Sequence, residues 1–240
     1  MTTLSVTRQS ASAKSAPRRV SNGMCLRVPR SAFALRGFRA WAASDDFPEN
    51  VHVAFLNHEI YVDTSREEFE YHAAVKAEIC RVLMNLIRTP MLGRFYLDGI
   101  LITNEEAGVA NNPDATFVSW ASLEKGLVHV VPRMGSRAQF IEIAGKPDWV
   151  LEIVSDSSVE KDTQLLRAAY HRARIQAYWP VDARGRGILL QIPEWRKNDY
   201  AAVPERGGWR RSPVFGCHCR LVRESTRMDL WEYTVLMGPE

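Results

Sequence analysis

Disulfides, membrane spans, internal repeats and N-terminal acids are what this 240-residue chain lacks. Its four cysteines, Cys25, Cys80, Cys217 and Cys219, are too few and too scattered for a disulfide scaffold. Cys217-His218-Cys219 leaves one residue between the thiols, which is the wrong spacing for a zinc knuckle, and no second pair exists. It reads as a strand segment with reduced thiols. No apolar run approaches the length of a membrane span, and no secretory h-region is present, so a cytoplasmic protein away from membranes is expected. Acids are missing from residues 1–40, which carry eight Lys and Arg; the net charge of +3 therefore leaves −5 on residues 41–240. Residues 1–30 are Ser, Ala, Arg and Pro without periodicity and read as a disordered basic tail. Such a tail could touch nucleic-acid phosphates, act as a leader, mark a mis-assigned start or have no fixed role.

What remains is ordinary for a globular protein with a real core: 46% apolar and 25% charged residues. Residues 31–240 are expected to form a single domain. The most informative stretch runs from Pro147 to Asp182 and reads as strand, polar turn, helix, strand. Trp149–Val154 is apolar except for Glu152. Strand alternation puts Val150, Glu152 and Val154 on one face and Trp149, Leu151 and Ile153 on the other. A run apolar on both faces suits the interior of a sheet covered by helices. A carboxylate there is costly to desolvate unless a metal or a cation pairs with it. Asp162 is placed to cap a helix through Leu165, Leu166, Ala169 and Ala173, before a short strand at Ala177–Asp182.

Elsewhere, Phe33–Trp41 reads as a short amphipathic piece, and Asn57-His58 as the turn of a hairpin between residues 51–56 and 59–62. A long helix follows from Thr64 or Ser65, with Ser65 and Glu68 as a capping box and an apolar face through Phe69, Ala73, Cys80, Leu83, Leu86 and Ile87. Strands are expected at 95–97, 100–103 and 115–120, a hairpin at 127–131 and 139–143, a strand at 188–192, and shorter strands at 200–203, 209–211, 217–222 and 231–235. Helix, several strands, then helix and strand around one sheet describe an α/β or α+β protein.

Two acids on adjacent strands could hold a divalent ion: Asp114, at the start of one, and Glu152, in the middle of another. Their other readings are a turn acid after Pro113 and a buried ion-pair partner. Asp148 shares Glu152's face by parity, which allows it an auxiliary role. His72 and Lys76 lie at i and i+4 on one helix face.

The pattern PD-x3-E-x2-S-D-x-S from Pro147, followed by Asp162, Tyr170 and YW-x-V-D at 178–182, resembles the Uma-two family of restriction endonucleases in the PD-(D/E)xK nuclease superfamily. The resemblance extends from about residue 45 toward the C terminus. It implies an α/β, restriction-endonuclease-like mixed β-sheet flanked by helices, here with additional β-hairpins. It also implies metal-dependent endonucleolytic hydrolysis of DNA. Asp114 matches the motif aspartate and Glu152 the (D/E) position. Together with the Ile153 carbonyl they would hold Mg2+ or Mn2+, and His72 stands where the family often shows a histidine. The lysine departs from the pattern: the (D/E)xK slot holds Val154 and the family's usual helical slot holds Leu166. Lys161 and Arg167 are the nearest cations, and Lys161, at the strand-to-helix turn, is the better candidate. The alternative is a nucleic-acid-binding module that kept the fold and lost turnover. A third reading is a partner-binding domain with buried acids. Cleavage of both DNA strands would favour a symmetric homodimer.

Overall fold

The computed structural model describes residues 3–6, 26–49, 51–133, 135–136 and 138–238. In chain order the strands begin with β1 (Thr3–Val6), β2 (His52–Leu56), β3 (Glu59–Asp63), β4 (Gly93–Leu97), β5 (Leu101–Asn104) and β6 (Val109–Asn111). They continue with β7 (Ala115–Ser119), β8 (Val128–Pro132), β9 (Phe140–Gly145), β10 (Trp149–Ile153), β11 (Ala177–Asp182) and β12 (Leu189–Leu190). The last six are β13 (Pro193–Trp195), β14 (Tyr200–Ala202), β15 (Glu205–Arg206), β16 (Trp209–Ser212), β17 (Cys217–Ser225) and β18 (Trp231–Gly238). Helices are α1 (Leu35–Ala42), α2 (Ala74–Arg88), α3 (Trp120–Glu124) and α4 (Leu166–Arg172). None is long and apolar enough to cross a membrane among the described residues.

The class is mixed α/β, but the single sheet expected from the sequence is three among the described residues. Sheet A runs β1-β3-β2-β6-β5-β9-β8, sheet B runs β14-β13-β11-β10-β7-β4 with β12 on β11, and sheet C runs β15-β16-β17-β18. Sheet B is the centre. Its β10 pairs parallel to β11 and antiparallel to β7, and all five of its residues are buried. The alternation expected for this strand holds. Trp149, Leu151 and Ile153 pack with Val75, Ile79 and Leu83 of α2 and with Cys219 and Val235 of sheet C. Val150, on the other face, packs with Leu166 and Tyr170 of α4 and with Ile102, Val109 and Ile143 of sheet A. A strand covered on both faces has no solvent side, which is why it reads as a near-continuous apolar run. Trp149 and Trp179 meet edge to face, with ring centroids 5.5 Å apart.

The β2–β3 hairpin turns at Asn57 and His58, with φ of 51° and 68° as a tight type I′ connection requires. The β8–β9 hairpin and the strands at 177–182, 217–225 and 231–238 also form where the sequence places them. Cys217 and Cys219 lie in β17 as reduced thiols, their sulfurs 3.7 Å apart.

Several boundaries differ. Helix does not begin at Thr64 or Ser65. It opens with a π-helical turn at Phe69–Ala73, whose cap is Glu68 itself, its carboxylate accepting from the Glu70 and Tyr71 amides. Ser65 instead donates its amide to Asp63 Oδ1 at 2.8 Å, so the capping box is not formed. Phe69 is 66% exposed, outside the apolar face assigned to it. Residues 188–192 yield only the two-residue β12, and the short β6 was not foreseen. Of the tail expected at 1–30, Thr3–Val6 pair with β3 and Leu26 and Val28 pack against the cluster of α1 and sheet A. Residues 7–25 lie outside those described.

Candidate active site

Glu152 sits in the middle of β10 and is 3% exposed. Both of its hydrogen bonds fall on Oε1, from the Tyr170 hydroxyl at 2.6 Å and from Asn111 Nδ2 at 2.9 Å. Asn111 closes β6 and Tyr170 rides on α4, so elements of two layers converge on one oxygen and leave Oε2 uncommitted among the described residues. Burial pushes the Glu152 carboxyl well above the usual carboxylate range. The Lys161 ammonium pulls the other way, and the Asp162 and Asp114 carboxylates add to the rise.

Asn112-Pro113 carries the chain from β6 of sheet A to β7 of sheet B, and Asp114 stands at that crossing. Its amide donates to the Leu151 carbonyl at 3.1 Å, and its Oδ2 accepts from the Ile153 amide at 2.6 Å. Asp114 is thereby clamped to the C-terminal end of β10, next to Glu152. The other oxygen, Oδ1, faces Lys76 Nζ at 3.4 Å and His72 Nε2 at 3.5 Å. The i, i+4 pair on the helical face thus addresses one carboxylate. Lys76 also reaches Asp98 at 3.1 Å and Glu67, while His72 Nδ1 lies 3.0 Å from Glu67 Oε1. Burial opposes the charge on Lys76, but Asp114, Glu67 and Asp98 outweigh it and hold the ammonium above its usual range.

Asp162 does not cap the following helix. Helical backbone begins at Val159, so Asp162 lies in the first turn, its amide donating to the Ser158 carbonyl at 2.7 Å. The carboxylate is buried, with Oδ2 accepting the Ser158 hydroxyl and Oδ1 lying 2.8 Å from Lys161 Nζ. Burial raises the Asp162 carboxyl despite Lys161. Burial likewise opposes the charge on Lys161, but Asp162, Glu152 and Asp114 together hold the ammonium firmly protonated. The two family lysine slots are filled by packing: Val154 and Leu166 are both buried. Arg167 turns away, binding Asp199 Oδ2 at 3.0 Å and the Tyr200 carbonyl. Asp148 has a structural role at the start of α3, where it accepts from the Ser119 amide at 2.7 Å and the Ser122 hydroxyl at 2.8 Å.

One cleft of about 220 Å³ brings His72, Lys76, Asp114, Glu152, Lys161 and Asp162 together, with Asn111 also in its wall. Sequence reading missed Asn111, and it noted Lys76 without assigning it to Asp114. Asn111 looked like part of a turn, since nothing in NNPD distinguishes the asparagine that ends a strand. Tyr170 belonged to the motif without an evident partner. The donor set is carboxylate oxygen, as a hard cation takes: Oε2 of Glu152 accepts no hydrogen bond among the described residues, while Oδ1 of Asp114 faces Lys76 and His72. No group of three or more His, Cys, Asp or Glu placed to hold a metal occurs among the described residues. Such a pair fits an ion that keeps most of its water, as Mg2+ does when it is held by one or two carboxylates.

A solved structure described as a "putative nuclease belonging to DUF820" from Anabaena variabilis shares the fold, with a TM-score of 0.51 and 14% identity over 68% of this chain and 82% of that one. No curated protein matches. Residues 36–218 match the Uma2 family, described as "Putative restriction endonuclease". With about three quarters of its length matched, the chain belongs to the Uma2 family of restriction-endonuclease-like proteins.

Proposed function

We propose that the protein is a divalent-cation-dependent endonuclease hydrolysing DNA phosphodiester bonds in the cytoplasm, with Asp114 and Glu152 as the residues that hold Mg2+ or Mn2+. The observation that carries this reading is Glu152 itself: a buried carboxylate with one oxygen uncommitted, beside Asp114 and Lys161, in an open cleft. A bound ion would supply Lewis acidity toward a phosphoryl oxygen. Tyr170 and Asn111 fix the orientation of Glu152, and the Ile153 amide fixes that of Asp114. Lys161, in the role the family gives its lysine, stabilises charge developing on the phosphate. His72 holds a ring nitrogen at the cleft, where it can contact phosphate or orient the attacking water.

A second reading has its own support. Val154 and Leu166 occupy both lysine slots, as they would in a nucleic-acid-binding module that has lost turnover. Calorimetric titration with Mn2+ and plasmid nicking, each on wild type and Glu152→Ala, separate the two. Metal binding and nicking that both vanish in Glu152→Ala support the enzyme. Metal binding without nicking leaves the binding module, and no metal binding by wild type overturns the metal site.

A further inference from the structure

Sheet B ends in an open edge. Strand β4 pairs with β7 on one side, and no described strand pairs with it on the other. The edge is mixed in character: Leu97 at the strand end is 46% exposed and Met91 and Leu92 just before the strand 74% and 42%, while Arg94 stands exposed within it. Open edges are ordinarily shortened, charged or covered.

The phase of the ladder shows which backbone groups are available. The Trp120 amide donates to the Leu92 carbonyl at 3.1 Å, which makes Leu92 and Trp120 a hydrogen-bonded pair. Antiparallel pairs alternate, so Arg94 and Tyr96 direct their backbone groups to β7, while Gly93, Phe95 and Leu97 direct theirs outward. A second β4 related by a two-fold axis at Tyr96 would set Phe95 opposite Leu97 of the other copy, both in the outward phase. The same register sets Arg94 opposite Asp98. Arg94 is exposed, stacks over the Tyr96 ring at 5.9 Å and forms no ion pair among the described residues, and Asp98 retains 47% side-chain exposure beside Lys76. Hydrogen-bond phase alone also allows axes at Arg94 or Phe95; the axis at Tyr96 is the one that sets Arg94 against an acid, Asp98 just past the strand end, and not against itself or Tyr96.

We infer that the edge of β4 is a homodimer interface in which two copies pair antiparallel about Tyr96, joining their central sheets. The occupant is a second copy because antiparallel pairing about a two-fold is self-complementary and Arg94 and Asp98 each find their opposite in it. Asp98 also lines the cleft, so Arg94 of one copy stands at the mouth of the other copy's site. At ~4.8 Å between strands and ~3.4 Å per residue, the two Asp114 positions come roughly 20 Å apart, near enough to address both strands of one duplex. The interface does not depend on the nuclease reading; only this last consequence does.

The test is sedimentation of the full chain across a concentration series, with circular dichroism to confirm folding. Wild type is expected at twice the monomer mass. Leu97→Pro removes an outward amide from each copy and should weaken the dimer at least about 30-fold, as should Arg94→Glu, which sets two acids against each other. Tyr96→Cys should form an intermolecular disulfide on mild oxidation, since residues opposed across the axis as a non-hydrogen-bonded pair approach to ~4.5 Å between Cα atoms; Leu97→Cys should not. A monomer at all concentrations overturns the proposal. So does a dimer that tolerates both Leu97→Pro and Arg94→Glu and fails to cross-link through Tyr96→Cys.

Discussion

Asp114 Oδ2 accepts a hydrogen bond from the Ile153 amide at 2.6 Å, which locks the acid at the sheet crossing to the strand that carries Glu152. The acids are 38 residues apart in sequence, and this bond together with that from the Asp114 amide to the Leu151 carbonyl makes them neighbours. Tyr170 completes the arrangement from the opposite layer.

Tyr170→Phe removes a buried donor at 2.6 Å from Glu152 and leaves Asn111 as its one hydrogen-bond partner among the described residues. Loss of a hydrogen bond to a buried acid costs about 1–3 kcal/mol. Urea unfolding should show a loss of that size, while Phe retains the packing of the ring. Unchanged stability would mean that water replaces the hydroxyl.

Glu152 makes stability fall with pH. Its carboxyl is raised above the ordinary glutamate value of 4.5, first by burial, so the folded state favours the protonated form. Its contribution is fully present below about pH 4.5 and is lost as pH rises through the folded value. Thermal melts of wild type and Glu152→Gln should therefore diverge with rising pH, the variant becoming relatively more stable. Millimolar Mn2+ should close the gap by stabilising wild type alone. Parallel curves would sink this account.

Lys161→Ala should lower metal-dependent nicking by roughly 10²-fold, the scale for removing a positioned electrostatic group. Mn2+ affinity should fall little, because an ammonium is not a ligand. Its folding effect also needs measuring, since Asp162 would lose its ion-pair partner at 2.8 Å. Nicking that survives in a folded Lys161→Ala protein would move the catalytic cation elsewhere, with Lys76 next in line.

Arg184 ties the loop after β10 to the end of β11, through Asp182 at 2.8 Å and Asp156 at 2.9 Å. Hydrogen bonds from Arg184 hold the Asp182 carboxyl below the usual carboxylate range, with burial opposing. A lowered acid contributes stability above its unfolded value of about 3.8, and loses it as pH falls through the folded one. Arg184→Ala should therefore lower the unfolding free energy at pH 7, by less than about 1 kcal/mol for a partly exposed pair, and should not lower it at pH 2. An equal loss at both pH values would point to packing of the arginine stem.

The sequence by itself determined the central strand, its two faces and the hairpins. Apolar alternation and turn residues such as Asn57-His58 act over a few positions, where local sterics decide. It also singled out Glu152, because one acid in an apolar strand demands a partner wherever that strand is buried. The partners themselves came only from tertiary structure. Asn111 and Tyr170 meet Glu152 across two layers, and Lys76 meets Asp114 across 38 residues, distances over which no periodicity carries information. The division into three sheets was likewise undecided by pattern. Strands read alike whichever sheet they join, and membership is settled by the area each face can bury. The helix start at Phe69 followed the same logic, since Glu68 caps it while Ser65 is engaged with Asp63; at Val159 the helix begins three residues before Asp162, whose carboxylate is taken up by Ser158 and Lys161. A cap is chosen by which side chain remains free after the core and the cleft have formed.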